Sequence, residues 1–336
     1  NRHGLIMATY KEIKGTNIEI IATDPSNPVE GQVWYNTTSN QLKGQAVTAA
    51  GSWATGSALN TARAQFGGAG ANTEAALAFG GSPPPAPSAK NNTESWNGSS
   101  WTEVNNLNEA KAFVAGAGTY TSAIAAGGDQ YSGTAESWNG TNWTNITDEP
   151  NASNGYGTAG ADSTNALFFG GSPAGGKANT RYWNGSSWAE LNDLNTARAN
   201  LAGSGKTYTA ALAFGGITNP SSFVTNTESF NGTNWTAVNT LNTGRAYLGG
   251  VGTQTSGLAF AGYATTAVTA KTEAWNGTNW TEDGDLNTAR SGVGNAGAGA
   301  DNTAALCFGG NTGSDTGATE EWTGAGAPQT RTFTVS

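Results

Sequence analysis

Cysteine, methionine and histidine occur once each in the 336 residues, as Cys307, Met7 and His3. One cysteine excludes an intrachain disulfide, and one histidine beside it excludes a His/Cys metal cluster, so neither a metal nor any other cofactor is expected. Charge is scarce as well. Only 12% of residues are charged, about half the usual share, and 15 Lys plus Arg against 24 Asp plus Glu leave a net charge of −9. Such a chain offers no footprint for nucleic-acid phosphates or an anionic membrane surface. No apolar run reaches the roughly 18 residues that membrane insertion needs. The N-terminus has no apolar h-region, so no secretory signal is expected. Met7-Ala8-Thr9-Tyr10-Lys11 reads like a beginning, with residues 1 to 6 ahead of it.

What the chain does hold is glycine and aromatics: 49 Gly, 12 Trp, 11 Phe and 9 Tyr. They are distributed in an internal repeat, a feature to be sought before secondary structure because it decides the fold. A unit opens on Leu-Asn-Thr-Ala-Arg, passes through Phe-Gly-Gly and ends Thr-Glu-Ser-Trp-Asn-Gly-x-x-Trp. Its leucines are Leu59, Leu107, Leu194, Leu241 and Leu286, with a degenerate copy at Glu149, a step of about 45 residues. The first aromatic slot holds Trp96, Trp138, Trp183, Phe230, Trp275 and Trp322, which makes six copies.

Each unit reads as four short strands. A glycine-rich strand follows the arginine. Next come an Ala-Ala-Leu-Ala-Phe type strand (Ala75 onward), the Thr-Glu-Ser-Trp strand, and a strand such as Trp101 to Val104. Asn-Gly between the last two (Asn97-Gly98 and four equivalents) is a strong hairpin signal. These asparagines also open Asn-Gly-Ser/Thr sequons, but the turn alone accounts for them. Glycines inside strands mark close backbone approach. One such sheet cannot bury its aromatic face alone, so the expected fold is all-β, a six-bladed β-propeller. The aromatic register locates its closure. In the sixth copy the second Trp slot falls on Ala327, while Trp53 lies six residues before Leu59, as the other second-slot tryptophans do before their leucines. The segment around Trp53 should therefore be the outer strand of the sixth blade, which removes open sheet edges.

The order diglycine, Glu-x-aromatic, Trp, Leu and Arg resembles the kelch repeat from about Trp53 to Trp322. Kelch-like propellers serve as enzymes, ligand-binding domains and scaffolds, so the resemblance implies a fold and not a function. The segment Asp24 to Lys43, with Pro28, Gly31, Val33-Trp34-Tyr35-Asn36-Thr37-Thr38 and Leu42-Lys43, resembles a short segment common in tailed-phage virion proteins. It reads as a hairpin: Gln32 to Asn36, a turn over Thr37–Asn40, then Gln41 to Lys43. The Ala-Gly-Thr-rich propeller and its ending Glu320 to Pro328 resemble kelch-type structural proteins of marine cyanophages. The implied division is an attachment segment at 1–45, with Trp34 and Tyr35 as its contacts to other virion proteins, and a propeller at 46–336.

Two slots carry charge. Arg63, Lys111, Arg198, Arg245 and Arg290 are basic, while Glu94, Glu136, Glu228, Glu273 and Glu320 are acidic. Copy three breaks both together, with Ser153 and Arg181, so the two slots are expected to touch. An arginine cluster for carboxylate substrates, as in sialidase-like propellers, is the catalytic alternative. Even repetition around a ring does not suit a converging triad, so no catalytic residue is assigned.

The copies disagree most between the diglycine and the Glu slot, where the spacing runs 13, 8, 10, 12, 11 and 10. Lys90, Gln130, Tyr131, Lys177, Arg181, Phe223, Tyr263 and Asp315 fall there, in loops that emerge on one face. Loops on a rigid scaffold carry recognition, so these are the candidate binding residues. The expected protein is a virion structural component, of appendage or tail-fibre type, at the particle surface. A host-surface glycan or protein would be its ligand, and homo-oligomerisation stays open. A glycosidase-like propeller acting on surface glycans, or a non-viral kelch-type scaffold, is the alternative.

Overall fold

A computed structural model describes residues 18–25, 32–47, 50–82, 89–129, 132–172, 176–218, 222–293, 297–324 and 328–333. These residues form an all-β, propeller-like fold of small four-stranded sheets, with no α-helix among them. The chain divides into two units, 50–324 and a smaller one made of 1–49 with 325–336.

In the larger unit β4 (Ser52–Gly56) comes first. Five antiparallel meanders follow in chain order. Sheet 1 is β5 (Gly67–Asn72), β6 (Ala75–Phe79), β7 (Thr93–Trp96) and β8 (Trp101–Val104). Sheet 2 is β9 (Ala115–Gly118), β10 (Ala123–Ala126), β11 (Ala135–Trp138) and β12 (Trp143–Ile146). Sheet 3 is β13 (Tyr156–Asp162), β14 (Asn165–Gly170), β15 (Thr180–Trp183) and β16 (Trp188–Leu191). Sheet 4 is β17 (Ala202–Thr207), β18 (Ala210–Phe214), β21 (Thr227–Phe230) and β22 (Trp235–Val238), with a small hairpin β19 (Ile217–Thr218) and β20 (Ser222–Phe223) inserted. Sheet 5 is β23 (Gly249–Gly252), β24 (Gly257–Phe260), β27 (Thr272–Trp275) and β28 (Trp280–Asp283), with the insert β25 (Tyr263–Ala264) and β26 (Ala267–Val268). Sheet 6 is β29 (Gly297–Asp301), β30 (Ala304–Phe308), β31 (Thr319–Thr323) and β4, which pairs Trp53 with Trp322. The first strands touch in the order β5, β9, β13, β17, β23, β29, and β29 touches β5.

Between the third and fourth strands only the glycine of each Asn-Gly pair takes a positive φ, as at Gly98 (+88°). The asparagine instead caps the turn with its side chain: Asn97 Oδ1 accepts the amides of Ser99 and Ser100. The hairpin is thus an Asx-capped four-residue loop rather than a turn with two left-handed residues.

Packing between sheets follows one rule. The second-slot Trp of a sheet donates its indole N–H to the hydroxyl of a threonine on the preceding sheet's third strand. Trp143 reaches Thr93, Trp235 reaches Thr180, Trp280 reaches Thr227, Trp53 reaches Thr272 and Trp101 reaches Thr319, all at 2.9–3.0 Å. The same rings stack edge-on or tilted against the preceding sheet's phenylalanine, as in Phe79–Trp143 (4.8 Å) and Phe308–Trp101 (4.7 Å). Such contacts add about 1 kcal/mol each beyond area burial. Small residues on the first strands let neighbours close up: a Cβ on Gly116 would lie 2.5 Å from the Gly68 carbonyl oxygen.

Sheet 3 departs from the rule. Sheet 2 carries Ala126 where the phenylalanine should be and Ala135 where the threonine should be. Trp188 therefore turns to Phe168 of its own sheet and donates to the Thr147 carbonyl, remaining half-exposed.

The smaller unit holds one sheet in the order β1 (Glu19–Ile21), β2 (Val33–Asn36), β3 (Gln41–Val47) and β32 (Pro328–Phe333). The hairpin β2–β3 follows the sequence reading, with its turn ending on Asn40 at φ +53°. Residues 325–336 do not continue the larger unit, to which the sequence reading gave them, because β32 pairs with β3 from Leu42↔Phe333 to Val47↔Pro328.

The tryptophan rule predicts opposite outcomes at two equivalent positions. Thr272→Val leaves the Trp53 indole N–H buried without an acceptor and should cost about 1–3 kcal/mol in urea unfolding. Ala135→Thr offers Trp188 the threonine acceptor used at the other interfaces in place of the Thr147 carbonyl, and should raise the urea midpoint. Equal midpoints for both variants and the parent would remove the rule.

Candidate functional site

The charged slots meet as expected. Arg63 lies 3.1 Å from Glu94, Lys111 3.6 Å from Glu136, Arg198 3.0 Å from Glu228, Arg245 2.8 Å from Glu273 and Arg290 3.1 Å from Glu320. Each carboxylate also accepts from the turn that leads into its sheet: Glu94 takes the amides of Asn60 and Thr61 and the Asn60 side chain. The pair therefore clamps the connection between consecutive sheets onto the third strand. The guanidiniums also donate to backbone carbonyls, as Arg63 does to Ala78 and Asn92. All four arginines are fully buried, so none is presented to a carboxylate substrate. Burial pushes Arg198 down to about 10, against the pull of Glu228, and it stays cationic at neutral pH.

In copy three the polarity is reversed. Arg181, on the third strand, lies 3.6 Å from Glu149 of the connection, and 3.1 Å from Glu190. Glu149 also accepts the Tyr156 hydroxyl at 2.7 Å. The sequence reading saw Glu149 only as a degenerate leucine position and offered Arg181 as a loop-face binding residue. Arg181 is buried and paired, and belongs to the clamp.

The remaining loop residues have varied fates. Gln130 and Tyr131 lie outside the described residues. Lys90 is half-buried and joined through its backbone to Gly81 and Lys111. Lys177 donates its ammonium to the carbonyls of Asn151 and Ala152, and burial lowers its pKa. Asp315 accepts from the Asn311 side chain, and burial raises its carboxyl. Among the described ones, Phe223 and Tyr263, on the inserts of adjacent sheets, are brought together, with ring centroids 5.8 Å apart. The Tyr263 hydroxyl donates to the Thr266 carbonyl.

A second set of residues at this end was missed. Two places after the basic slot stand Gln65, Phe113, Gly155, Asn200, Tyr247 and Gly292, and all six have φ between +54° and +71°. Left-handed backbone costs a non-glycine residue roughly 1 kcal/mol or more. Their backbones form a hydrogen-bonded chain. Phe113 N–H donates to Gln65 C=O (2.6 Å), Gln65 to Gly292 (2.7 Å), Gly292 to Tyr247 (3.0 Å), Tyr247 to Asn200 (2.9 Å) and Asn200 to Gly155 (2.8 Å). The side chains surround a cavity of about 40 Å³, floored by Phe66, Val114, Ala115, Tyr156 and Leu201. The variable loops reach the same end, since Ala64 pairs with Ser82, Ala199 with Ile217 and Ala246 with Tyr263. The signal was available in sequence: this slot changes chemistry from copy to copy between a slot that is basic in five of six copies and a strand of small residues. At the other end the first strands frame a cavity of about 220 Å³ whose walls are mostly Gly and Ala, with the exposed Lys206 at its edge.

In the smaller unit Asp24 accepts the Trp34 indole N–H (2.9 Å) and the Asn36 amide (2.7 Å), and pairs with Lys43 (2.7 Å). Trp34 is fully buried, so the expectation that it contacts a partner is corrected: its ring is used inside the protein. Tyr35 is half-exposed, with its hydroxyl 3.5 Å from Asn40.

Neither a model of a known protein family nor a curated protein matches this chain.

Two measurements check these contacts. Glu94→Gln keeps the shape but strips Arg63 of its counter-charge, and should cost on the order of 3 kcal/mol; an unchanged unfolding midpoint would show that the pair adds nothing. The bonds from Lys43, Trp34 and Asn36 hold Asp24 down at about 2, from an ordinary 3.8. A depressed carboxylate stabilises the fold above its unfolded pKa and loses that contribution as pH falls through the folded one. The Trp34 indole N–H resonance should therefore stay fixed down to about pH 4 and shift as the pH drops towards 2, and Asp24→Asn should abolish the titration.

Proposed function

We propose that this chain is a structural protein of a tailed-phage virion, a peripheral appendage or tail-fibre component. Its larger unit is a six-bladed, kelch-like propeller completed by β4, and the loop-bearing end meets a host surface or a neighbouring subunit. Three features support the architecture: the cyclic order of first-strand contacts, the Trp–Thr series that passes through Trp53 and Trp101, and the pairing of β4 with β31. The likeness of Asp24–Lys43 to virion segments supports the setting, with the smaller unit as attachment segment and Tyr35 on its surface.

The observation that carries the display role is the partition of constancy and variation. Clamp and aromatic positions repeat around the unit, while the left-handed slot changes among amide, aromatic and glycine and the adjoining loops vary in length, all at one end. The chain leaves the unit at Ala50 and Gly324, beside the turn end of sheet 6, which is the opposite end of that sheet from its loop after β30. Recognition then needs no chemistry: many copies of a weak contact on one particle give avidity. Immunogold labelling and mass spectrometry of purified particles test the reading. The protein should be found on particles at a fixed stoichiometry; its recovery only from the lysate would overturn it.

A further inference from the structure

We infer that the ring of left-handed residues is a binding site for an uncharged saccharide. The inference rests on the reading of the loop-bearing end as the recognising face and adds to it a site and a ligand class. Going round the ring, the order is Gln65, Phe113, Gly155, Asn200, Tyr247, Gly292. It is a twofold alternation of amide, aromatic and glycine, so the two amides face each other across the mouth, as do the two rings and the two glycines. The glycines leave gaps on one diameter. Into one of them leans Asn200, whose Oδ1 would lie 2.3 Å from a Cβ at residue 155.

The chemistry of this mouth is selective. None of its eleven lining residues bears a charge, so nothing there compensates an ionic ligand. Gln65 and Asn200 are half-buried, and their side-chain amides bond to no other described residue; the Tyr247 hydroxyl likewise has no described partner. Burial raises the Tyr247 pKa, which keeps the phenol protonated and able to donate. The Phe113 and Tyr247 rings stack on no other described aromatic residue. Unpaired amides that donate and accept, a neutral phenol, and aromatic faces match the alternating hydroxyls and C–H faces of a neutral sugar. A cavity of about 40 Å³ is too small for a pyranose. The ring of the sugar therefore lies across the mouth and dips one hydroxyl or hydroxymethyl group into it. Except for the Gly155 N–H and the Phe113 C=O, the N–H and C=O groups of these six residues are spent on the neighbouring sheets, so recognition falls mainly to the side chains.

The backbone conformation supplies a test free of folding artefacts. Glycine is the residue that left-handed positions favour, and two of the six already have it, so Tyr247→Gly and Asn200→Gly should leave the melting temperature unchanged or higher. Saturation-transfer NMR and calorimetry on the full chain would use maltotriose, chitotriose and mannotriose, with sialyllactose and short neutral and acidic peptides as the contrasting probes. At least one uncharged trisaccharide should bind in the millimolar range or tighter, and both glycine variants should weaken it roughly tenfold or more. Binding of sialyllactose or a peptide alone, no binding of any trisaccharide, or trisaccharide binding untouched by both variants would overturn the proposal. The outcome is independent of whether the protein is found on particles, so failure here and failure of the virion reading are told apart.

Discussion

No sheet in the larger unit can bury its own outer tryptophan; the neighbour has to do it. That constraint organises the rest. The indole needs an apolar ring to lie against and an acceptor for its N–H, since an unpaired buried donor is costly. The preceding sheet supplies a phenylalanine from its second strand and a threonine from its third. The glutamate two residues before the first aromatic slot faces the other way and holds the incoming connection through the basic residue. Aromatic burial and the charged clamp thus act on the same third strand, one from each side. The backbone at the loop-bearing end is bonded between sheets at every interface but that of sheets 2 and 3, and this is what lets left-handed non-glycine residues persist there.

Sheet 3 shows which parts of this scheme are negotiable. Losing Thr and Phe from sheet 2, at Ala135 and Ala126, leaves Trp188 half-exposed and bonded to a main-chain carbonyl. Losing the Arg at Ser153 is compensated by Arg181 and Glu149, which carry the same attraction with the signs exchanged. Complementarity is therefore required of the clamp, but not a particular order of charges. The same boundary is where the backbone chain of left-handed residues has no Gly155-to-Phe113 link among the described bonds. The changes lie together because they share one interface.

Much of this was legible in the sequence because it repeats. The four strands per unit, the pairing of the charged slots and the membership of Trp53 in the sixth sheet follow from registers that recur at fixed spacing. What escaped was whatever a repeat hides or a single copy replaces. Thr93 and its equivalents looked like ordinary strand residues, since a partner on another sheet leaves no local trace. Glu149 looked like a failed leucine because its role depends on Arg181, more than thirty residues away. Arg181 and Trp34 were judged by position as surface groups, but burial is decided by neighbours that come from elsewhere in the chain. The left-handed slot was visible as variation within a constant frame, though nothing in sequence reveals a positive φ at Phe113 or Tyr247.

The composition of sheet 6 bears on how the molecule is made. Its fourth strand is near the start of the chain and its third near the end, so Trp53 leaves the ribosome long before Trp322 does. At about 5–20 residues per second, that strand waits on the order of tens of seconds. During that time its indole has no partner strand, and five complete meanders stand with one open flank. Synthesis of β29 to β31 decides whether that flank is covered by its own β4 or by the equivalent strand of another nascent copy, the circumstance in which strands are exchanged between chains.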